Sequence, residues 1–364
     1  MVALADVAIA APKTLYRFTQ ATGFDATGEF VFDSTGAMYG TAGGASGNGI
    51  VFKYVGNTHS FTVLYNFRGG STDGAQPLPG IVLTNAGLLY GTTAAGGAHN
   101  LGTIFQVNAA TGAEAVDYSF SGTPDAATPS TGLVQAPNGL LYGTAGFGGA
   151  AKAGAIFSFV PASQAEAVVS SFTGSYGYVL PNSLIAGPGG VLYGATYKGG
   201  ITDAGTVFAL QTSSGVGTQI YDFAAAPDGL SNPGPALAID AKGRLYGTAA
   251  NRQSAGTVFR LVPDSGKLGV LGTLKGSQST VTGLLVAGTG TLYGTSYLAT
   301  KTAGGSLFAV SLATGGITTL YDFPAVRGVA DYPAGLVIAP KGVLIGSTVR
   351  PIGAVCGTLF AFKP

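Results

Sequence analysis

Four short apolar phrases recur along the chain in a fixed order, each bounded by glycine, proline, asparagine or aspartate. The plainest is L-Y-G-T. Its tyrosine falls at Tyr39, Tyr90, Tyr142, Tyr193, Tyr246 and Tyr293, with Ile345 in the seventh place, at spacings of 51, 52, 51, 53, 47 and 52 residues. A G-T-V-F phrase follows each copy, clear at 102–105, 154–157, 205–208, 256–259, 305–308 and 357–360 and looser at 49–52. A third phrase, L-Y-x-F, stands at 15–18, 64–67, 220–223 and 320–323, with weaker copies ending at Phe120, Phe172 and Leu274. The fourth is an apolar run such as 81–83, 133–134, 184–186, 284–286 or 336–338. Phrases this short, rich in aromatic and β-branched residues and fenced by turn formers, predict strands. No stretch carries a capped helical period.

Four strands in a unit of about 50 residues predict a propeller blade, so seven units predict an all-β, seven-bladed propeller with four antiparallel strands per blade. The order of phrases separates this from an open solenoid. The chain begins on the fourth phrase, at 15–18, and ends on the third, at 357–362. The last unit lacks an outer strand and the N-terminus carries an unattached one. Pairing them closes a ring and removes two strand edges, whereas a solenoid needs polar caps at both ends. The expected single domain, 1–364, divides into blades at 29–67, 80–120, 132–172, 183–223, 236–274, 283–323 and 335–362 plus 14–18.

The unit at 89–107, L-Y-G-T-T-A-A-G-G-A-H-N-L-G-T-I-F-Q-V, resembles the GloVer tandem repeat of bacterial, often surface-anchored or secreted proteins. The resemblance extends over all seven units. It implies an extracytoplasmic repeat protein and supplies no catalytic residues to carry over.

Let the strands of a blade be a (the apolar run, innermost), b (L-Y-G-T), c (G-T-V-F) and d (L-Y-x-F, outermost). The a–b and c–d links are tight turns, whereas the b–c and d–a links are longer and irregular. Because the strands alternate in direction, both long kinds share one face, and a binding face is expected there, around the channel mouth. Counting back from L-Y-G-T, the entry positions of the inner strands are Glu29, Gly80, Gly132, Ser183, Ala236, Gly283 and Gly335. Only Glu29 is large and charged. It is either an acid, base or cation ligand, or a solvent-facing residue where blade 1 begins irregularly.

The b–c links of blades 3 to 7 each hold one cation: Lys152, Lys198, Arg252, Lys301 and Arg350. They form an arc suited to carboxylate or sulfate groups, or they are ordinary solubilising charge. The d–a links supply Asp25, Asp73, Asp125, Asp228 and Asp331, most of them expected as turn residues. Glu29 with Asp25 or Asp331 is the candidate carboxylate pair for glycoside cleavage. Rings on the same links, Phe147, Tyr176, Tyr178, Tyr197, Tyr297 and Tyr332, can stack on sugar faces or pack locally. Tyr197 and His99 are the candidate bases. His59 lies at the outer strand of blade 1, and the two histidines form no metal site. Cys356, the sole cysteine, reads as a buried inert thiol.

Composition narrows the chemistry further. Charged residues make up 9% of the chain and the formal net charge is +1, so no overall field favours nucleic acid or anionic membrane. No apolar run reaches the roughly 20 residues that span a bilayer, and residues 1–11 are too short for a complete signal peptide. The motifs of nucleotide and calcium loops are absent and no cofactor is expected. The expectation is a secreted, cell-surface or periplasmic monomer that binds a carbohydrate, with uronic acid as the acidic sugar. The alternatives are a polysaccharide lyase or glycoside hydrolase at the same face, and a protein–protein scaffold.

Overall fold

The computed structural model describes residues 11–26, 28–44, 46–173, 181–223, 229–251, 256–274, 280–288, 290–297, 303–324, 332–349 and 356–364. The strands form seven antiparallel sheets. Blade 1 runs outward as Val31–Phe32, Met38–Ala42, Ile50–Val55 and Ser60–Asn66. Blades 4, 5 and 6 repeat that order with four strands each. In blades 2 and 3 the inner strand is broken in two, as Gly74–Pro77 with Val82–Leu83 and Ala126–Pro129 with Val134–Gln135. Blade 7 contains Tyr332–Ile338, Leu344–Val349 and Thr358–Phe362, and its outer strand is Lys13–Arg17 from the start of the chain. The ring is therefore closed as the phrase order predicts. Several inner strands begin earlier than the repeat suggests; that of blade 5, for example, runs Leu230–Ile239.

The repeated letters have a packing cause. In every blade the glycine of L-Y-G-T lies under the phenylalanine of G-T-V-F. A Cβ on Gly194 would come within 2.2 Å of Phe208, and one on Gly91 within 2.5 Å of Phe105. That same phenylalanine meets the last residue of L-Y-x-F from the blade before. Ring centroids are 4.9 Å apart for Phe67–Phe105, 4.9 Å for Phe120–Phe157, 5.4 Å for Phe172–Phe208 and 5.6 Å for Phe223–Phe259. Phe18 of blade 7 meets Phe52 of blade 1 at 5.8 Å, so the closing seam is built like the others. Nearer the axis, threonine and asparagine side chains donate to the next inner strand: Thr41 to the Leu78 carbonyl, Thr92 to that of Thr131, Asn182 to that of Pro233 and Thr282 to that of Pro333.

Two seams also carry acidic clusters. At the blade 1/2 seam the Tyr65 hydroxyl donates to Asp73 Oδ2 at 2.9 Å, and the backbone N–H groups of Arg68 and Gly74 donate to the same carboxylate. Glu114 of blade 2 faces this pair. At the blade 2/3 seam Tyr118 donates to Asp125 Oδ2 at 3.1 Å, and Glu166 of blade 3 takes the place of Glu114. Two of those five aspartates, Asp73 and Asp125, thus bond a tyrosine of the preceding outer strand at a seam. Burial, reinforced by the neighbouring aspartates, pushes the Glu114 carboxyl up to about 7 and that of Glu166 up to about 8.

This has a consequence for stability. The folded chain holds protons that the unfolded chain releases near the ordinary glutamate value of about 4.3. Raising the pH therefore favours unfolding until both folded-state values are passed. The melting temperature is expected to fall as pH rises from about 4.3 toward the folded values of about 7 and 8 and to level off above them, and the double substitution Glu114→Gln with Glu166→Gln is expected to flatten that fall. Identical slopes in the parent and the variant, by calorimetry across this range, would show that the clusters do not hold the protons.

Candidate functional site

The inner strands enclose a central cavity of about 430 Å³ to which all seven blades contribute. Glu29, Gly80, Gly132, Ser183, Ala236, Gly283 and Gly335 all line it. Small residues are required at several of these places because neighbouring backbones touch. A Cβ on Gly132 would fall 1.9 Å from the Pro79 carbonyl oxygen, and one on Gly283 would fall 2.8 Å from Gly335 Cα. The Leu133 N–H donates to the Gly80 carbonyl at 2.7 Å across the same gap.

Glu29 is the one ionisable side chain among the described residues of the lining. Glu29 is exposed to the channel, yet the protein crowded around the narrow lumen raises its carboxyl above the ordinary carboxyl range. Access to water and low-dielectric surroundings coexist here because the lumen is narrow. No cation among the described residues pairs with Glu29. The carboxyl is therefore placed to donate or accept a proton, or to bind a positively charged group entering the channel.

The b–c links of blades 2, 3 and 4 share one turn. A residue in the left-handed region closes it: Asn100 (φ 54°), Lys152 (φ 58°) and Asp203 (φ 57°). Asn100 Oδ1 accepts from the Gly96 N–H at 3.0 Å, and Asp203 Oδ1 from the Gly199 N–H at 2.8 Å. Such side chains offset the steric cost of this conformation. Lys152 has no equivalent oxygen, so the turn does not account for it. Its side chain is exposed.

Lys198 sits in the blade 4 turn and pairs with Asp203 at 3.4 Å, both side chains being 41% exposed. A pair this open contributes little to stability, but it reduces the free charge that the arc would present. Arg252, Lys301 and Arg350 lie outside the described residues, as do Tyr176, Tyr178, Asp228 and Asp331. Tyr297 ends the second strand of blade 6, Thr291–Tyr297. Phe147 and Tyr197 are exposed rings, 42% and 45% open, at the same end of blades 3 and 4. The Tyr197 carbonyl accepts from Asn232 Nδ2 at 3.0 Å, which ties that strand end to blade 5. His99 is exposed in the blade 2 turn. Glu29, which lines the channel, and Tyr197 and His99, which lie at the b–c ends of blades 4 and 2, belong to three blades, and no hydrogen bond joins them.

His59 Nδ1 lies 3.0 Å from the Tyr54 hydroxyl at the outer edge of blade 1. Cys356 is buried among Phe18, Phe52 and Leu359, as an inert thiol would be. Among the described residues no three histidine, cysteine or carboxylate side chains are grouped to hold a metal ion, and no helix is long and apolar enough to cross a membrane.

If Glu29 is an unpaired carboxyl in the lumen, its titration reports it. Carboxyl-carbon NMR of the parent and of Glu29→Gln is expected to assign it a midpoint above the ordinary glutamate value of about 4.3. A midpoint at or below that value would mean that a cation pairs with it.

The pattern described as the Gloeobacter/Verrucomicrobia repeat matches residues 6–189 and again 177–360. No curated protein matches the chain. Among solved structures it is similar to the extracellular domain of a one-component system from B. thetaiotaomicron, with a TM-score of 0.63 and 12% identity over 97% of this chain. It spans 40% of the length of that protein. It is also similar to an oligogalacturonate lyase in complex with manganese, with a TM-score of 0.65 and 11% identity over 97% of this chain and 96% of that one. An ulvan lyase bound to -[GlcA(1-4)Rha3S]- gives a TM-score of 0.61 and 9% identity over 96% of each chain. At these identities the likeness is one of fold.

Proposed function

The chain belongs to the Gloeobacter/Verrucomicrobia repeat family, and we propose that it is an extracytoplasmic propeller that cleaves an acidic polysaccharide by β-elimination at its long-loop face. The observation that carries the reading is Glu29, a carboxyl raised by burial in a channel otherwise lined by small or uncharged residues. Two exposed rings, Phe147 and Tyr197, stand on the same face. The names of similar structures support it: two are lyases, one of them bound to a glucuronate-containing saccharide, and another is an extracellular domain. Because those likenesses concern fold, the reaction is assigned from the residues.

Elimination removes the proton on the carbon next to a uronate carboxylate. The electron pair forms a C=C bond, the glycosidic C–O bond breaks, and the leaving oxygen takes a proton. Negative charge accumulates on the carboxylate as the proton leaves, so a nearby cation lowers the barrier. In this reading Lys152 meets the carboxylate, and Lys198 joins it on releasing Asp203. Arg252, Lys301 and Arg350 would extend the arc, with Asp331 beside it. Tyr197 is the base, with His99 the other candidate. Glu29, whose carboxyl burial biases toward the protonated form, is the group that gives a proton to the leaving oxygen. Phe147 stacks on a sugar face, and Tyr176, Tyr178 and Tyr297 are further candidates for that contact.

Binding without cleavage is the second reading. The Lys198–Asp203 pair favours it, because it holds one of the two described cations of the arc away from substrate. Incubation with uronic-acid oligosaccharides separates the two. The lyase reading expects ultraviolet absorbance from the unsaturated product, reduced by about 10²-fold or more in Glu29→Gln and in Tyr197→Phe, as loss of a general acid or base entails. Saturable, salt-sensitive binding with no product would establish the binding reading. Neither product nor binding would sink both.

A further inference from the structure

In six of the outer seams, from the closing seam round to that of blades 5 and 6, two equivalent positions come together. One is the tyrosine position of L-Y-x-F in the earlier blade. The other lies four residues before the same position in the later blade. At the closing seam Tyr16 stacks on Phe61 at 4.0 Å. Tyr65 faces Glu114 and Tyr118 faces Glu166, as described above. The blade 4/5 seam has Tyr221 and Leu268, and the blade 5/6 seam has Gly272 and Ile317. There the isoleucine fills the space, since a Cβ on Gly272 would come within 3.0 Å of Ile317 Cδ1. The blade 3/4 seam alone has two small residues, Ser170 and Gly217. The strand registers establish the equivalence, with Tyr118 opposite Ile104, Ser170 opposite Ile156 and Tyr221 opposite Val207.

A cavity of about 350 Å³ occupies this seam, near the lower end of the roughly 300–1,000 Å³ range of small-molecule sites. Ser170, Thr218, Gln219 and Asp222 line it beside the rings of Phe172 and Phe208. Asp222 is the informative residue. At its repeat position, blades 2 and 3 have Ser119 and Ser171, whose single oxygens accept from the N–H groups of Ala98 and Ala150 to pin the b–c turn. Asp222 Oδ2 does the same for the Ile201 N–H at 2.9 Å and also accepts from Gln219 Nε2 at 3.1 Å. That leaves Oδ1, which is buried, has no hydrogen-bond partner and lies against Gly200 of the cavity wall. A serine would pin the turn without leaving an unsatisfied acceptor, which is costly when buried.

We propose that the blade 3/4 seam is a binding site for a single neutral sugar ring. The vicinal hydroxyls of such a ring both donate and accept. Here they meet the Gln219 amide, the Ser170 and Thr218 hydroxyls and an aromatic edge, and a turn of the Asp222 carboxylate would offer them the oxygen that lacks a donor. The site is separate from the channel and stands or falls independently of the reaction assigned there.

The test uses the full chain with free glucose, galactose, mannose and xylose, read by ligand-observed NMR and calorimetry. One of them is expected to bind with a Kd of about 1 mM. Ser170→Tyr with Gly217→Leu gives this seam the residue types of the blade 4/5 seam and is expected to abolish binding. Asp222→Asn is expected to weaken it at least about tenfold, as loss of a hydrogen bond to a charged group entails. Glu29→Gln, which the lyase reading expects to stop cleavage, is expected to leave monosaccharide binding intact. The proposal is overturned if no sugar binds, if the filled variant still binds, if Asp222→Asn binds with the parent's affinity, or if Glu29→Gln removes binding. Should the filled variant not melt as a folded protein, Asp222→Asn decides alone.

Discussion

The contact on which the rest depends is the ring-on-ring packing between blades. An isolated four-stranded blade leaves both faces apolar and cannot bury them alone. Each G-T-V-F phenylalanine fills the space over the glycine of its own blade and receives the L-Y-x-F side chain of the blade before. Pairs of this kind add about 0.5–1.5 kcal/mol each beyond the area they bury. More importantly, they fix the position of each blade against the last. A repeated contact of fixed geometry curves the array until its ends meet, and the Phe18–Phe52 pair is that contact made between the two ends of the sequence.

Closure determines the chemistry available. Seven inner strands converge on one axis, and the resulting crowding demands glycine at several lining positions. Against that requirement Glu29 is an exception with consequences: a carboxyl open to the lumen yet crowded by the inner strands, which raise it above the ordinary range. The outer seams follow the opposite logic. They widen away from the axis and need large side chains, so each seam is filled according to which pair it inherits. Aromatic stacking, a tyrosine with two carboxyls, an aliphatic plug and an open polar cavity are four solutions at one structural position.

The architecture was legible because its signals are local and repeated. The L-Y-G-T spacing and the order of phrases at 15–18 and 357–362 led directly to a closed ring, and alignment from Tyr39, Tyr90 and their equivalents placed Glu29 and Gly132 in the channel. The seams were hidden because their partners are some 40 residues apart and belong to different units. Asp73-Gly74 reads locally as a turn, and only the folded ring brings Tyr65 and Glu114 to it. The Lys198–Asp203 pair was within reach, five residues apart in one link, but counting cations alone obscured it. The emptiness at Ser170 and Gly217 needed the registers of several outer strands at once.

The account stands on the first strand being an integral part of the last blade. Native-state hydrogen exchange tests this most directly at the Phe18 amide, which donates to the Gly357 carbonyl at 3.0 Å. The equivalent amides of Phe67 and Phe120 donate to Gly49 and Gly102 at 3.0 and 3.1 Å. A closed ring requires Phe18 to be protected to the same free energy as Phe67 and Phe120, through global unfolding. Rapid local exchange at Phe18, with Phe67 and Phe120 protected, would contradict the closed ring and with it the shared channel.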